Sequence, residues 1–174
     1  AKQIADLIKD KQAQNLPCVL GMATGATPIL LYKELVRIHK EEGLSFKNVV
    51  SFNLDEYYPM EQDSINSYVR FMKELLFNHI DILPENIHIP DGTLSKEEIA
   101  DFCAVYEAKI EALGGIDLQI LGIGGNGHIG FNEPGSSIFS KTRMVNLENG
   151  TRLANTYEFQ NISKVPRRAV TMGI

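Results

Sequence analysis

Tryptophan is absent from this 174-residue chain, and cysteine occurs only twice. Cys18, in a strand-like run, and Cys103, in a helix-like one, are too few for a disulfide framework and show no metal-ligand spacing. They read as buried thiols in a reducing compartment. No apolar run approaches the ~20 residues needed to span a bilayer. The opening AKQIADLIKDKQAQNLP is a polar helix with Ile4, Leu7 and Ile8 on one side, not a signal peptide. A basic face is lacking as well: 17 Lys and Arg stand against 22 Asp and Glu, interleaved throughout, for a net charge of −5. That argues against a nucleic-acid partner. The Walker pattern G-x-x-x-x-G-K-[ST] is missing, so a nucleoside triphosphate is not indicated. These absences lead to the expectation of a cytoplasmic protein with neither membrane nor nucleic-acid partners.

What is present has the composition of a globular domain, 44% hydrophobic and 22% charged. Apolar runs and helical periodicities alternate. PCVLGMA (17–23) reads as a strand, and residues 28–42 read as a helix with Leu31, Leu35 and Ile38 on one side and Gly43 as its stop. NVVSFNL (48–54) is a second strand, running into a loop, DEYYP. A helix is expected over 66–80, a weak strand at 86–90, and a helix opened by the capping box Ser95-Lys-Glu-Glu98. IDLQILGIG (116–124) has the clearest buried-strand pattern, and KTRMVNL (141–147) and RAVTMGI (168–174) add two more strands. Strands separated by helices imply a Rossmann-like, three-layer α/β fold: a mainly parallel sheet with helices on both faces. The whole of 1–174 reads as one domain. The chain starts on a helix without a preceding strand and stops within one, so a fragment of a longer domain is expected.

Ligands of open α/β sheets bind beyond the carboxyl ends of the strands. TGATP (24–28), DEYYP (55–59) and GGNGHIGFNEPG (124–135) follow such ends and should open on one sheet edge. TGATP begins a helix, with Pro28 suited to the first turn; its free amides and the Thr24 and Thr27 hydroxyls can cradle a phosphate. The same residues equally suit an unliganded turn. Asp55 and Glu56 follow an apolar strand among aromatic rings, where desolvation can raise a carboxyl pKa into the range of a base; a solvated loop acid is the alternative. His128 and Glu133 could form an oriented proton-transfer pair, and Asn126 could add a hydrogen bond. Their spacing matches no zinc site. His39, His79 and His88 read as structural.

Gly122, Gly124 and Gly127 also satisfy the dinucleotide fingerprint G-x-G-x-x-G after a strand, and Glu148 lies 21 residues past Gly127. That fingerprint requires a helix opening at its third glycine. His-Ile-Gly-Phe-Asn-Glu-Pro-Gly follows instead, with no helical period before Lys141. A nicotinamide site is therefore rejected.

Taken together, LGMATGATP, SFKNVVSFNLDEYYP, INSYVRFMKELLFNHIDI, GIGGNGHIGFNEPGSS and TRLAN resemble the glucosamine-6-phosphate deaminases (isomerases), relatives of the 6-phosphogluconolactonases. FNLDEYY and GHIGFNEP side with the deaminases. The resemblance implies conversion of glucosamine 6-phosphate to fructose 6-phosphate and ammonia without metal or cofactor. It implies Asp55 as the base at C2 and C1, and His128, oriented by Glu133, assisting ring opening. Gly25, Ala26 and Thr27, with Thr24, match the phosphate loop, and Glu56, Gly124 and Gly125 are expected at the substrate. The sequence departs from the family in places. Asn126 stands where some members have Asp, completing a triad with His and Glu. Tyr157 stands where relatives often place an arginine. The family's later phosphate-binding lysine would fall beyond Ile174. Ser136 and Arg143 match part of an allosteric site, but Val145 replaces its lysine. Members range from monomers to larger assemblies, so a homo-oligomer is compatible with the sequence. A lactonase and a sugar-phosphate-binding module without catalysis remain the alternatives.

Overall fold

The computed structural model describes residues 1–174. The chain runs α1 (Lys2–Ala13), β1 (Cys18–Met22), α2 (Ile29–Glu42), β2 (Val49–Asn53), β3 (Asp55–Tyr58), α3 (Tyr68–Leu75), β4 (Ile87–His88), α4 (Lys96–Ala112), β5 (Leu118–Gln119), β6 (Arg143–Asn146), α5 (Asn149–Ala154), α6 (Thr156–Phe159) and β7 (Arg168–Thr171). The main sheet has the order β4-β2-β1-β5, and every pairing in it is parallel.

Its layering follows from residue alternation. Cys18, Leu20, Met22 and Val49 point to one face, into a core completed by Ile4 and Ile8 of α1, Tyr32, Leu35 and Ile38 of α2, and Met72 of α3. Val19, Val50 and Phe52 point to the other face, against Tyr106 of α4. Both faces are covered, so β1 and β2 are buried at every position and read in sequence as continuous apolar runs rather than alternating ones. Helix ends agree closely with their signals. Gly43 takes a left-handed φ of 72° after α2, and the Glu98 carboxylate accepts the Ser95 N–H at 3.0 Å before α4.

Three expectations need correction. DEYY is not a loop but the buried strand β3, and together with β7 and β6 it forms a separate antiparallel sheet. The expected strands at 141–147 and 168–174 therefore lie outside the parallel sheet. IDLQILGIG contributes only Leu118–Gln119 as strand. β5 is an edge with a partner on one side only, and its pairing ends where the Ile120 N–H bonds to Gly21 O, just before the glycines. The helix expected over 66–80 stops at Leu75, and a 3-10 turn, Phe77–His79, follows.

The two sheets meet at Leu54. Its N–H donates to Met22 O in the large sheet at 2.9 Å, and its carbonyl accepts the Met172 N–H just past β7 at 2.8 Å. Asp55 follows immediately. The small sheet has its own core, in which Tyr57, Tyr68, Phe131 and Phe159 pack with ring centroids 5.0–6.3 Å apart.

Candidate active site

A cleft of about 190 Å³ opens at the carboxyl ends of β1, β2 and β5, lined by Thr24, Gly25, Thr27, Asp55, Gly124 and His128 among others. The TGATP, DEYYP and glycine-rich segments therefore share one sheet edge.

Asp55 opens β3 opposite Thr171 of β7. It is 7% exposed, and no protein donor or cation pairs with its carboxyl. Burial alone pushes it up to about 7, because a buried charge loses hydration that no protein donor or cation replaces. The turn above it fits only without a side chain. Gly130 has a φ of +58°, and a Cβ there would lie 2.9 Å from Thr171 Oγ1 and 3.5 Å from Asp55 Oδ2. That turn is fastened to the end of β7 and the residue after it by two bonds: Phe131 N–H to Thr171 Oγ1 at 3.1 Å and Asn132 Nδ2 to Met172 O at 2.8 Å.

His128 and Glu133 do not touch directly. Their nearest atoms, Nδ1 and Oε2, are 3.9 Å apart, and Asn126 stands between them. Its Nδ2 donates to Glu133 Oε2 at 2.8 Å, and its Oδ1 meets His128 Nδ1 at 2.7 Å. An ionised carboxylate only accepts, so Glu133 fixes which way the Asn126 amide faces. The amide oxygen then requires a proton on His128 Nδ1, which leaves Nε2 as the lone pair of the neutral ring. Glu133 is suited to this. Its partial burial pushes its pKa up, but the adjacent Thr151 hydroxyl, the Asn126 amide, the Glu148 N–H and His128 outweigh that and hold it below the usual carboxylate range. The ring also needs space at Gly124, where a Cβ would lie 2.1 Å from His128 Cε1.

In the TGATP turn, Gly25 adopts a φ of +89° and α2 begins after Pro28. The amides of residues 24–27 donate to no protein acceptor. They sit at the helix N-terminus, where an anion is favoured. Thr24, Gly25 and Thr27 line the cleft, while Ala26 lines an adjoining hollow.

Two expected residues lie elsewhere. Glu56 does not face the cleft. It is 1% exposed, and its carboxylate accepts the N–H groups of Tyr57, Tyr68 and Val69, which caps α3. Alternation along β3 dictates this, since neighbouring side chains point to opposite faces. Burial pushes Glu56 up to about 8 against those three donors. Gly125 is exposed, outside the cleft lining. His39, His79 and His88 stand apart: His39 bonds Leu44 O, His79 bonds Glu74 O, and His88 packs on Phe52. The sequence reading missed Tyr68, Asn155 and Glu158 in the cleft lining. Tyr68 was legible only as one of several core aromatics on its helix, and Glu158 carries no motif at all.

The sequence profile of the glucosamine-6-phosphate isomerases/6-phosphogluconolactonases matches residues 1–174. A glucosamine-6-phosphate deaminase of Thermoanaerobacter sp. is 48% identical over the whole chain, which spans 68% of that enzyme. A glucosamine-6-phosphate deaminase-like protein of Bacteroides thetaiotaomicron is 47% identical over 174 residues, but the chain spans only 26% of it. Among solved structures, a monomeric glucosamine-6-phosphate deaminase superposes with a TM-score of 0.93 at 46% identity, over 99% of this chain and 69% of that one. The 6-phosphogluconolactonase of Thermotoga maritima shares the fold, with a TM-score of 0.68 at 23% identity, over 99% of this chain and 72% of that one.

Proposed function

The chain belongs to the family of glucosamine-6-phosphate isomerases and 6-phosphogluconolactonases, and from that membership we propose that it carries the catalytic cleft of a glucosamine-6-phosphate deaminase. The observation that carries this reading is Asp55: a buried carboxyl with no partner, pushed up to about 7, beneath the turn that holds His128. A general base works best when its pKa lies near the working pH.

The residues divide the chemistry among them. The substrate phosphate sits on the free amides of Thr24–Thr27, with the two threonine hydroxyls. His128 Nε2 takes the proton of the anomeric hydroxyl while a proton is returned to the ring oxygen, and the sugar opens to the aldehyde. Asp55 removes the C2 proton, acidified by the C1 carbonyl; the C–H electrons form the C1=C2 bond, and the C1=O electrons take a proton from solvent at the C1 oxygen, giving an enolamine. Return of that proton to C1 leaves an iminium at C2. Water adds there, and ammonia departs to give the ketose. The substrate's own carbonyl receives the electrons, so this course calls for no metal or redox cofactor. The overall reaction consumes water and is in that sense hydrolytic. Cys18 and Cys103, free and buried, are consistent with a cytoplasmic setting, and no helix is long and apolar enough to cross a membrane.

The test is to incubate the intact protein with glucosamine 6-phosphate and follow ammonia and fructose 6-phosphate. Equal release of both is expected. Hydrolysis of 6-phosphogluconolactone without ammonia would replace this reading with the lactonase one, and ligand binding without either product would leave a binding module.

A further inference from the structure

Three side chains form one row across the small sheet. Thr171 of β7 lies directly opposite Asp55 of β3 on one side and Arg143 of β6 on the other. Opposed residues of an antiparallel pair present their side chains on the same face. The turn that follows His128 runs along this row, one residue to each rung. Gly130 lies over Asp55, where an added Cβ would stand 3.5 Å from Oδ2. Phe131 donates its N–H to Thr171 Oγ1 at 3.1 Å, and Asn132 Oδ1 accepts from Arg143 Nη1 at 2.9 Å. The turn is closed on itself by the Asn132 N–H, which donates to Ile129 O at 3.1 Å. Of its anchors, Thr171 alone grips the backbone; Arg143 and Met172 O hold the Asn132 side chain. Thr171 is fully buried, and its one hydroxyl proton goes to Met172 O at 3.3 Å, so towards Phe131 it is an acceptor.

We propose that Thr171 is a positioning residue, whose hydroxyl sets the height of the His128 turn over Asp55. This rests on the deaminase reading above. In that reading His128 serves the hydroxyl on C1 and Asp55 the hydrogen on C2, adjacent carbons of one substrate. The reaction therefore demands a fixed spacing between the two groups, and a misplacement of about 1 Å can cost about 100-fold in rate. Asp55 belongs to β3 and His128 to a distant loop, so no short stretch of chain sets that spacing. The row of β3, β7 and β6 does, and Thr171 is its middle rung. Thr171 is outside the cleft lining, so it acts through the turn and not on the substrate. The 24–27 turn stands apart from it, after β1 on the large sheet. Loss of the hydroxyl should accordingly disturb the chemical step and spare the hold on the phosphate.

The experiment is steady-state ammonia release from glucosamine 6-phosphate by the intact protein, for wild type, Thr171→Val, Thr171→Ser and Val170→Ala. Valine keeps the shape of threonine and suits a strand, but it lacks the acceptor. Thr171→Val should lose about 10- to 100-fold in kcat, with KM within about twofold of wild type. Its Phe131 amide should also exchange faster with solvent. Thr171→Ser retains the acceptor and should recover most of kcat. Val170 adjoins Thr171 on β7 but packs on the other face, with Tyr58, Ile99 and Cys103. Val170→Ala should therefore melt lower than wild type at unchanged kcat. If the valine variant is unfolded, Thr171→Ala carries the same test. A wild-type kcat in folded Thr171→Val, or a raised KM at unchanged kcat, would overturn the inference and leave the deaminase reading standing. So would a serine variant as slow as the valine one, or an equal loss of kcat in Val170→Ala. A folded wild type that releases no ammonia would remove both.

Discussion

Asp55 and Asn126 show how little at the residue scale separates a surface group from a working one. Asp55 is made basic by what is missing around it, since no cation or donor compensates its burial. Asp55→Asn should bind substrate near normally and lose deamination by about 10³-fold or more, measured as ammonia release; near wild-type turnover would dismiss it as the base. The same burial sets a stability trend. The folded pKa of about 7 lies above the unfolded value near 3.8, so the native state holds the proton longer. No cost exists below about pH 4; it grows as pH rises towards 7 and is fully present above. Asp55→Asn should therefore melt higher than wild type at pH 8 and equally at pH 4. The difference is at most about 4 kcal/mol from a shift of that size, and less where water in the cleft screens the charge. Asn126 fixes the His128 tautomer through its bond to Glu133. Asn126→Asp places two carboxyls at hydrogen-bond distance and an anion on Nδ1. The pH profile of kcat/KM should then shift from that of wild type, measured as ammonia release.

At the element scale, the sequence conveys elements bounded by chemistry and misreads those bounded by neighbours. The helix opened by Ser95 and the end of α2 at Gly43 carry their own caps, and both were legible. The Asn126-Gly-His stretch was recognisable as a loop because no helical period follows it, and this separates it from a nucleotide motif. β5, by contrast, ends where Gly21 O of its partner strand is used, which no property of IDLQILGIG announces. DEYY looks like a loop because two acids are strand-breaking by propensity. It is a strand because Thr171, Val170, Ala169 and Arg168 pair with it, a contact more than a hundred residues away in sequence. That pairing also separates the two acids: Asp55 to the cleft, Glu56 to the start of α3. Glu56→Ala should leave the Tyr68 and Val69 amides without their acceptor and cost about 2 kcal/mol in urea unfolding, with an unchanged KM in the folded fraction. A raised KM at unchanged stability would instead return Glu56 to the substrate.

On the scale of the whole molecule, a parallel sheet covered on both faces carries a smaller antiparallel sheet at one edge. The alternation of strands and helices was enough to foresee the first. The second was hidden because its strands come from distant parts of the chain, around 55, 143 and 168. The sheets have separate cores but share the peptide groups of Leu54. Hydrogen exchange is expected to place the Leu54 and Met172 amides in the same slow class as those of Cys18–Met22. A faster class spanning β3, β6 and β7 would mean that the small sheet opens by itself.

Leu54 also acts as a spacer. The 24–27 turn is mounted on the large sheet after β1, whereas the carboxyl of Asp55 belongs to the small one. The span between the proposed phosphate turn and the proposed base is therefore set by the angle between two sheets, held at this residue by two backbone hydrogen bonds. The backbone gauges the length of a ligand before any side chain in the cleft is consulted.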